Sequence, residues 1–166
     1  MPVLIKDEQR EHSIDCVLLE SQGESILLFL ECEFKELSVL LADDKKIRTL
    51  NKQYRGQDRA TDVLSFPQNE EEENKQNSHL MGDVVISTVT AKRQAAGHGL
   101  SIEEEIVLLL IHGILHLLGF DHERSNEEAY NMKQKTRELF DRIFPNIRII
   151  LYNLITQLFW VGCKMF

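Results

Sequence analysis

The sequence predicts an α+β domain, a small mixed sheet with helices packed on it, over residues 1–145, followed by an apolar tail over 146–166. Three observations predict it. Short apolar runs suited to strands alternate with longer helical-period segments in the order β-α-β-α-β-β-α-α-α, an arrangement that covers one small sheet with helices. The segment Ile106 to Ile111 is apolar all round, as a buried central helix must be. Finally, 166 residues with 43% hydrophobic and 28% charged content can enclose one core.

Taken in order, Val3 to Ile5 reads as a first strand. A first helix covers much of Ser13 to Glu33, with Gly23 as a weak spot. Leu37 to Ala42, an apolar run bounded by charges, reads as a buried strand. Asp43 is a good N-cap for a helix that runs to about Tyr54 with Ile47 and Leu50 facing inward. Val63 to Phe66 is a strand closed by Pro67. Residues 68–78 are acidic and polar without periodicity, and read as a loop. Leu80 to Ser87 is another strand, and Thr88 to about Ala96 a helix ending at Gly97 or Gly99. Ser101-Ile-Glu-Glu104 is a capping box that opens the central helix. Ser125-Asn-Glu-Glu128 is a second one, opening a helix that Pro145 ends near Phe144.

Composition narrows the function classes. A formal net charge of −8 does not suggest a nucleic-acid binder, so any RNA contact needs a local basic patch. Lys45, Lys46, Arg48, Lys52, Arg55, Arg59, Lys92 and Arg93 are the candidates for one, with an ordinary solvated helix face as the plain alternative. Cys16, Cys32 and Cys163 show no paired spacing, which suggests free thiols in a reducing cytoplasm. The N-terminal residues lack a signal-peptide pattern. In the tail, Arg148 and Lys164 bracket 15 uncharged residues, Ile149 to Cys163, fewer than the roughly 20 that span a bilayer. A last helix packed on the domain is the expectation there; a docking segment for a membrane or a partner is the alternative.

The chemistry concentrates in His112-Gly-Ile-Leu-His116-Leu-Leu-Gly119-Phe-Asp-His122. Histidines four apart stand one above the other on a helix face. Gly119 ends the helix by adopting a left-handed conformation, and the turn returns His122 toward the first two. Three converging neutral imidazoles make a metal site with room for a water, the arrangement of catalytic zinc centres. The spacing is zincin-like and matches the metzincin signature except at one place. Where zinc peptidases carry a glutamate general base, this chain has Gly113, so a peptidase of that type would lack its proton acceptor. Asp121 is a candidate for a fourth ligand, or for orienting a ligand histidine through its second nitrogen. His79 and His98 read as lone, solvent-exposed residues with no role.

A second motif runs Asn51-Lys-Gln-Tyr54-Arg55-Gly56 and continues through Thr61-Asp62-Val-Leu-Ser65-Phe66-Pro67. At the end of a helix, Arg55 could simply complement the helix dipole, or its guanidinium fork could hold a phosphate. Together with the histidine run and the intervening Gly82-Asp83-Val-Val-Ile strand, this segment resembles the YbeY family of bacterial endoribonucleases over about Val3 to Phe144. The resemblance implies a zinc-dependent, single-strand-specific endoribonuclease. It implies action at the 3′ end of 16S ribosomal RNA and in quality control of 70S ribosomes, with the small ribosomal subunit as partner. It makes His112, His116 and His122 the ligands of one Zn2+ ion and, with Arg55, the catalytic set. Two departures stand out: Ala60 occupies a position where the family commonly has proline, and the apolar tail is untypical. Two other readings remain at this stage: a metal-dependent hydrolase such as a peptidase, and a ribosome-associated assembly factor whose metal is mainly structural.

Overall fold

The computed structural model describes residues 2–68 and 79–147. Most of the acidic stretch, Cys163 and the apolar tail from 148 onward lie outside the described residues. The elements follow the expected order: β1 (Val3–Asp7), α1 (Cys16–Phe29), β2 (Glu36–Ala42), α2 (Asp44–Arg55), β3 (Val63–Pro67), β4 (Leu80–Ser87), α3 (Thr88–His98), α4 (Ile102–Leu117) and α5 (Asn126–Ile143).

The four strands lie in the order β1-β2-β4-β3. The first three are parallel and β3 runs antiparallel on the edge beside β4. Strand alternation divides the apolar residues between two faces. Leu37, Val39, Leu41, Val63, Val84 and Ile86 join the large core under α1, α3, α4 and α5. Ala42, Leu64 and Val85 meet Ile47 of α2 on the opposite face. Helices therefore cover both faces, which explains why β2 reads as a nearly continuous apolar run.

Local chemistry sets the helix ends. Asp15, Asp43 and Ser87 each accept a backbone N–H of the first turn that follows. Asp15 trims the first helix at its start, and the left-handed Glu31 (φ 56°) lies just past its end, so α1 is shorter than the sequence suggests. Helix α3 continues through Gly97 to His98, and Gly99 caps it. Both bonds of the Ser101–Glu104 capping box form. At α5 only Ser125 contributes, accepting from the Glu128 N–H.

Gly23, expected to be a weak spot, and Gly113, expected only as the place of a missing glutamate, prove to be points of close packing. A Cβ on Gly23 would stand 3.1 Å from Cγ1 of Val3, so α1 settles closely onto β1 there. A Cβ on Gly113 would stand 2.8 Å from Cγ1 of Val84 and 3.2 Å from the hydroxyl of Ser65. That hydroxyl donates to the Gly113 carbonyl at 3.1 Å. The middle of α4 is thereby seated on β3 and β4. Gly113→Ala is expected to destabilise the protein by about 1–2 kcal/mol, overpacking against the stiff Val84 outweighing the better helix propensity of alanine. A melting temperature at or above that of the parent would contradict this seat.

Candidate metal centre

His112 and His116 project from the C-terminal half of α4, and both are 3% exposed. The helix ends at Leu117, and the chain then turns on Gly119 (φ 87°). Gly119 N–H bonds the His116 carbonyl at 2.9 Å and Phe120 N–H bonds the Leu115 carbonyl at 3.0 Å, the paired bonds of a Schellman turn. Phe120 packs on the core and fixes the exit direction. Two residues later, His122 closes the triangle. Ring centroids are 4.6 Å apart for His112–His116, 5.3 Å for His116–His122 and 5.5 Å for His112–His122. One nitrogen from each lies within 4.8 Å of the others.

The orientation of the rings suits a cation. Nδ1 of His116 lies 3.0 Å from the carbonyl oxygen of Phe120, which accepts only if that nitrogen carries the proton. Nε2 then presents its lone pair inward, 3.0 Å from Nε2 of His112. Burial pushes His112 well below the ordinary imidazole value, helped by His116 and His122. Burial, then His122, lowers His116 to about 4, and burial also lowers His122. All three are neutral at physiological pH, the form a metal requires. The three can hold a metal ion, and an all-imidazole donor set suits zinc, copper, iron or nickel.

The depressed values carry a stability consequence for the metal-free protein. In the unfolded chain these groups titrate near 6.5, and in the folded chain they titrate lower. Their contribution is therefore fully present above pH ~6.5 and is lost as pH falls toward about 4. The melting temperature of metal-stripped protein should drop over that window, and the slope should flatten in His116→Ala. Equal slopes in parent and variant would refute the assignment. Asp62, whose carboxyl is raised by burial, works with the opposite sign, which is why the comparison with the variant is needed.

Arg55 is the last residue of α2, half-buried, with the left-handed Gly56 (φ 67°) following. Its positive charge is among the causes that depress His116, so the guanidinium lies within electrostatic reach of the imidazoles. Asn51 and Asp62 hold the intervening loop. Asn51 Nδ2 donates to the Arg59 carbonyl at 2.8 Å. Asp62 accepts from Val63 N–H, the Thr61 hydroxyl and Gln94 Nε2.

Other expected residues fall differently. Asp121 accepts from Glu123 N–H and pairs with Arg124, and it is the Phe120 carbonyl that orients His116. The charge of its carboxylate raises the titration of His116 and His122, against the effect of burial. His98 is not the lone, exposed residue expected. Its Nδ1 lies 2.8 Å from Oε2 of the fully buried Glu105, joining the end of α3 to the start of α4. His79 is exposed, as expected, and lies 3.7 Å from Glu36. Several basic candidates have acidic neighbours: Arg48 and Lys52 meet Asp58, Lys46 meets Glu8, and Arg93 meets Asp44.

A central helix carrying two histidines and a glycine turn returning a third make a site that can hold a metal ion on an α+β scaffold, with the charge of Arg55 in electrostatic reach. The sequence profile of the family described as Endoribonuclease YbeY matches residues 4–144. The chain is 48% identical over 146 residues to Endoribonuclease YbeY of Persephonella marina, covering 88% of this chain and 92% of that one. It is 47% identical over 145 residues to the Aquifex aeolicus protein of the same description, covering 87% and 91%. The solution structure of TM1509 from Thermotoga maritima superposes with a TM-score of 0.62 at 28% identity, covering 93% of this chain and 95% of that one. The chain belongs to the Endoribonuclease YbeY family. It is a nuclease, a hydrolase of phosphodiester bonds.

Proposed function

We propose that the protein is a zinc-dependent, single-strand-specific endoribonuclease that matures the 3′ end of 16S ribosomal RNA and acts in quality control of 70S ribosomes. The observation that carries the chemistry is the convergence of His112, His116 and His122 within 4.8 Å, with the charge of Arg55 reaching His116. His112, His116 and His122 hold one Zn2+ ion, and Arg55 completes the catalytic set. Zinc–imidazole bonds of about 2.0–2.1 Å hold two nitrogens of one tetrahedron roughly 3.3 Å apart, close to the 3.0 Å found between His112 and His116. Bound there, zinc would supply a Lewis acid and a water of lowered pKa.

The remaining work falls to the protein. The Phe120 carbonyl fixes the tautomer of His116. The guanidinium of Arg55 binds the phosphate and stabilises the charge that builds on its oxygens during cleavage. Gly113 leaves no room for the glutamate base of a peptidase, since even a Cβ would press on Val84. That favours a nucleophile that needs no glutamate, the ribose 2′-hydroxyl among them. Lys45 and Arg59 extend the cationic surface along α2 and the loop after it, with Lys46 and Lys52 joining once RNA phosphates compete with Glu8 and Asp58 for them, the patch an acidic chain needs to hold RNA. Residues 1–145 form the nuclease domain, and 146–166 an apolar tail. A reducing cytoplasm is the compartment that free thiols and a ribosomal substrate share; no helix among the described residues is long and apolar enough to cross a membrane.

The test is metal analysis paired with cleavage of single- and double-stranded RNA of one sequence. Stoichiometric zinc and cleavage of the single strand alone are expected. A zinc-loaded protein that leaves single-stranded RNA intact would overturn the proposal. Product ends decide the nucleophile: a 2′,3′-cyclic phosphate identifies the 2′-hydroxyl, and a 5′-phosphate with a 3′-hydroxyl identifies water.

A further inference from the structure

The edge strand β3 separates the histidines from an aromatic pair. On the α4 side, Ser65 donates to the carbonyl of Gly113, the neighbour of His112. On the other side, the ring of Phe66 meets Tyr54 of α2 edge-to-face, with centroids 5.2 Å apart and planes at 64°. Phe66 is half-buried, whereas Tyr54 is 56% exposed. Both are tied to the centre. Tyr54 precedes Arg55, whose charge reaches His116. The Phe66 carbonyl lies against Gly82, where a Cβ would also stand 3.1 Å from the side chain of Leu117, next to His116. Phe66 thus lies near the C-terminal end of α4, which carries His112 and His116, and Tyr54 stands one residue from Arg55.

A lone exposed tyrosine is ordinary on a protein surface. This one differs in being braced by a second ring and followed directly by Arg55, the combination that holds single-stranded nucleic acid: a π-face for a base, positive charge for the backbone. We propose that Tyr54, braced by Phe66, is a stacking platform for an unpaired base next to the phosphodiester held at Arg55. It is a specificity-determining residue for single strands. In a duplex both faces of each base are stacked on neighbours, so only an unpaired base can offer one to Tyr54. Stacking accepts any base, so the platform confers single-strand preference without a sequence code. The proposal rests on RNA being the substrate.

The experiment uses the full-length, zinc-loaded protein and a single-stranded oligoribonucleotide, alone and with one nucleotide at a time made abasic. Tyr54→Leu keeps apolar packing on Phe66 and removes the π-face; Tyr54→Phe keeps both. With Tyr54→Leu, KM should rise at least about five-fold with kcat nearly unchanged, the mark of lost uniform binding. Tyr54→Phe should restore the parent KM. In the parent, one abasic position should weaken binding by a similar factor, and that penalty should vanish in Tyr54→Leu. An unchanged KM in Tyr54→Leu, or no sensitive abasic position in the parent, overturns the platform while leaving the nuclease reading intact. A parent that neither binds nor cleaves the strand overturns both. Should Tyr54→Leu fail to fold, the abasic scan of the parent still decides.

Discussion

Replacing His116 with alanine is expected to abolish zinc-dependent stabilisation and RNA cleavage together while leaving the fold in place. His116 is buried on α4 and held at Nδ1 by the Phe120 carbonyl. Without it the remaining nitrogens belong to two rings with centroids 5.5 Å apart. At a free zinc concentration a hundredfold above Kd, binding adds about 2.7 kcal/mol, or roughly 5–10 °C in melting temperature for a chain of this size. The parent should show that rise and His116→Ala should not. The metal-free variant should melt within a few degrees of the metal-free parent, because the substitution leaves the apolar face of α4 intact. A variant that keeps the zinc-dependent rise would remove His116 from the ligand set. A variant that loses the rise yet still cleaves RNA would show the metal to be structural.

Arg55→Ala should separate chemistry from metal binding. Loss of a donor aimed at developing charge commonly costs about 10²–10³ in kcat, and that is the expected loss in RNA cleavage. Zinc should bind at least as tightly as in the parent, since the arginine's charge disfavours a second cation nearby and also lowers His116. Arg55→Lys should recover only part of the rate, because an ammonium cannot reproduce the planar fork. Parent-like cleavage by Arg55→Ala would leave the residue with only its helix-end role.

Much of this arrangement was legible because the signals are local. The histidine pair follows from i, i+4 geometry, the return of His122 from Gly119, and the helix starts from Asp43, Ser101 and Ser125. What escaped depends on contacts between distant segments. Gly113 reads as a missing glutamate; only the approach of Val84 and Ser65 shows that a side chain is excluded there. Glu105 reads as one more acid in a first turn until His98 arrives from the preceding helix. The placement of α2 against Leu64 and Val85, opposite the other helices, depends on strand order, which no local pattern encodes. Ligand orientation by a backbone carbonyl leaves no trace in side-chain identity.

That last point bears on how the centre can change over evolutionary time. The partner that holds His116 in its tautomer is the peptide oxygen of residue 120, present whatever side chain stands there. Drift at Phe120 can erode packing but cannot delete the acceptor. The vulnerable position is instead Gly119, whose φ of 87° puts a cost of roughly 1–2 kcal/mol on an L-side chain. Heritable damage to the orientation of His116 is therefore funnelled into a glycine that makes no contact with the ring, while change at its neighbour is limited by packing alone.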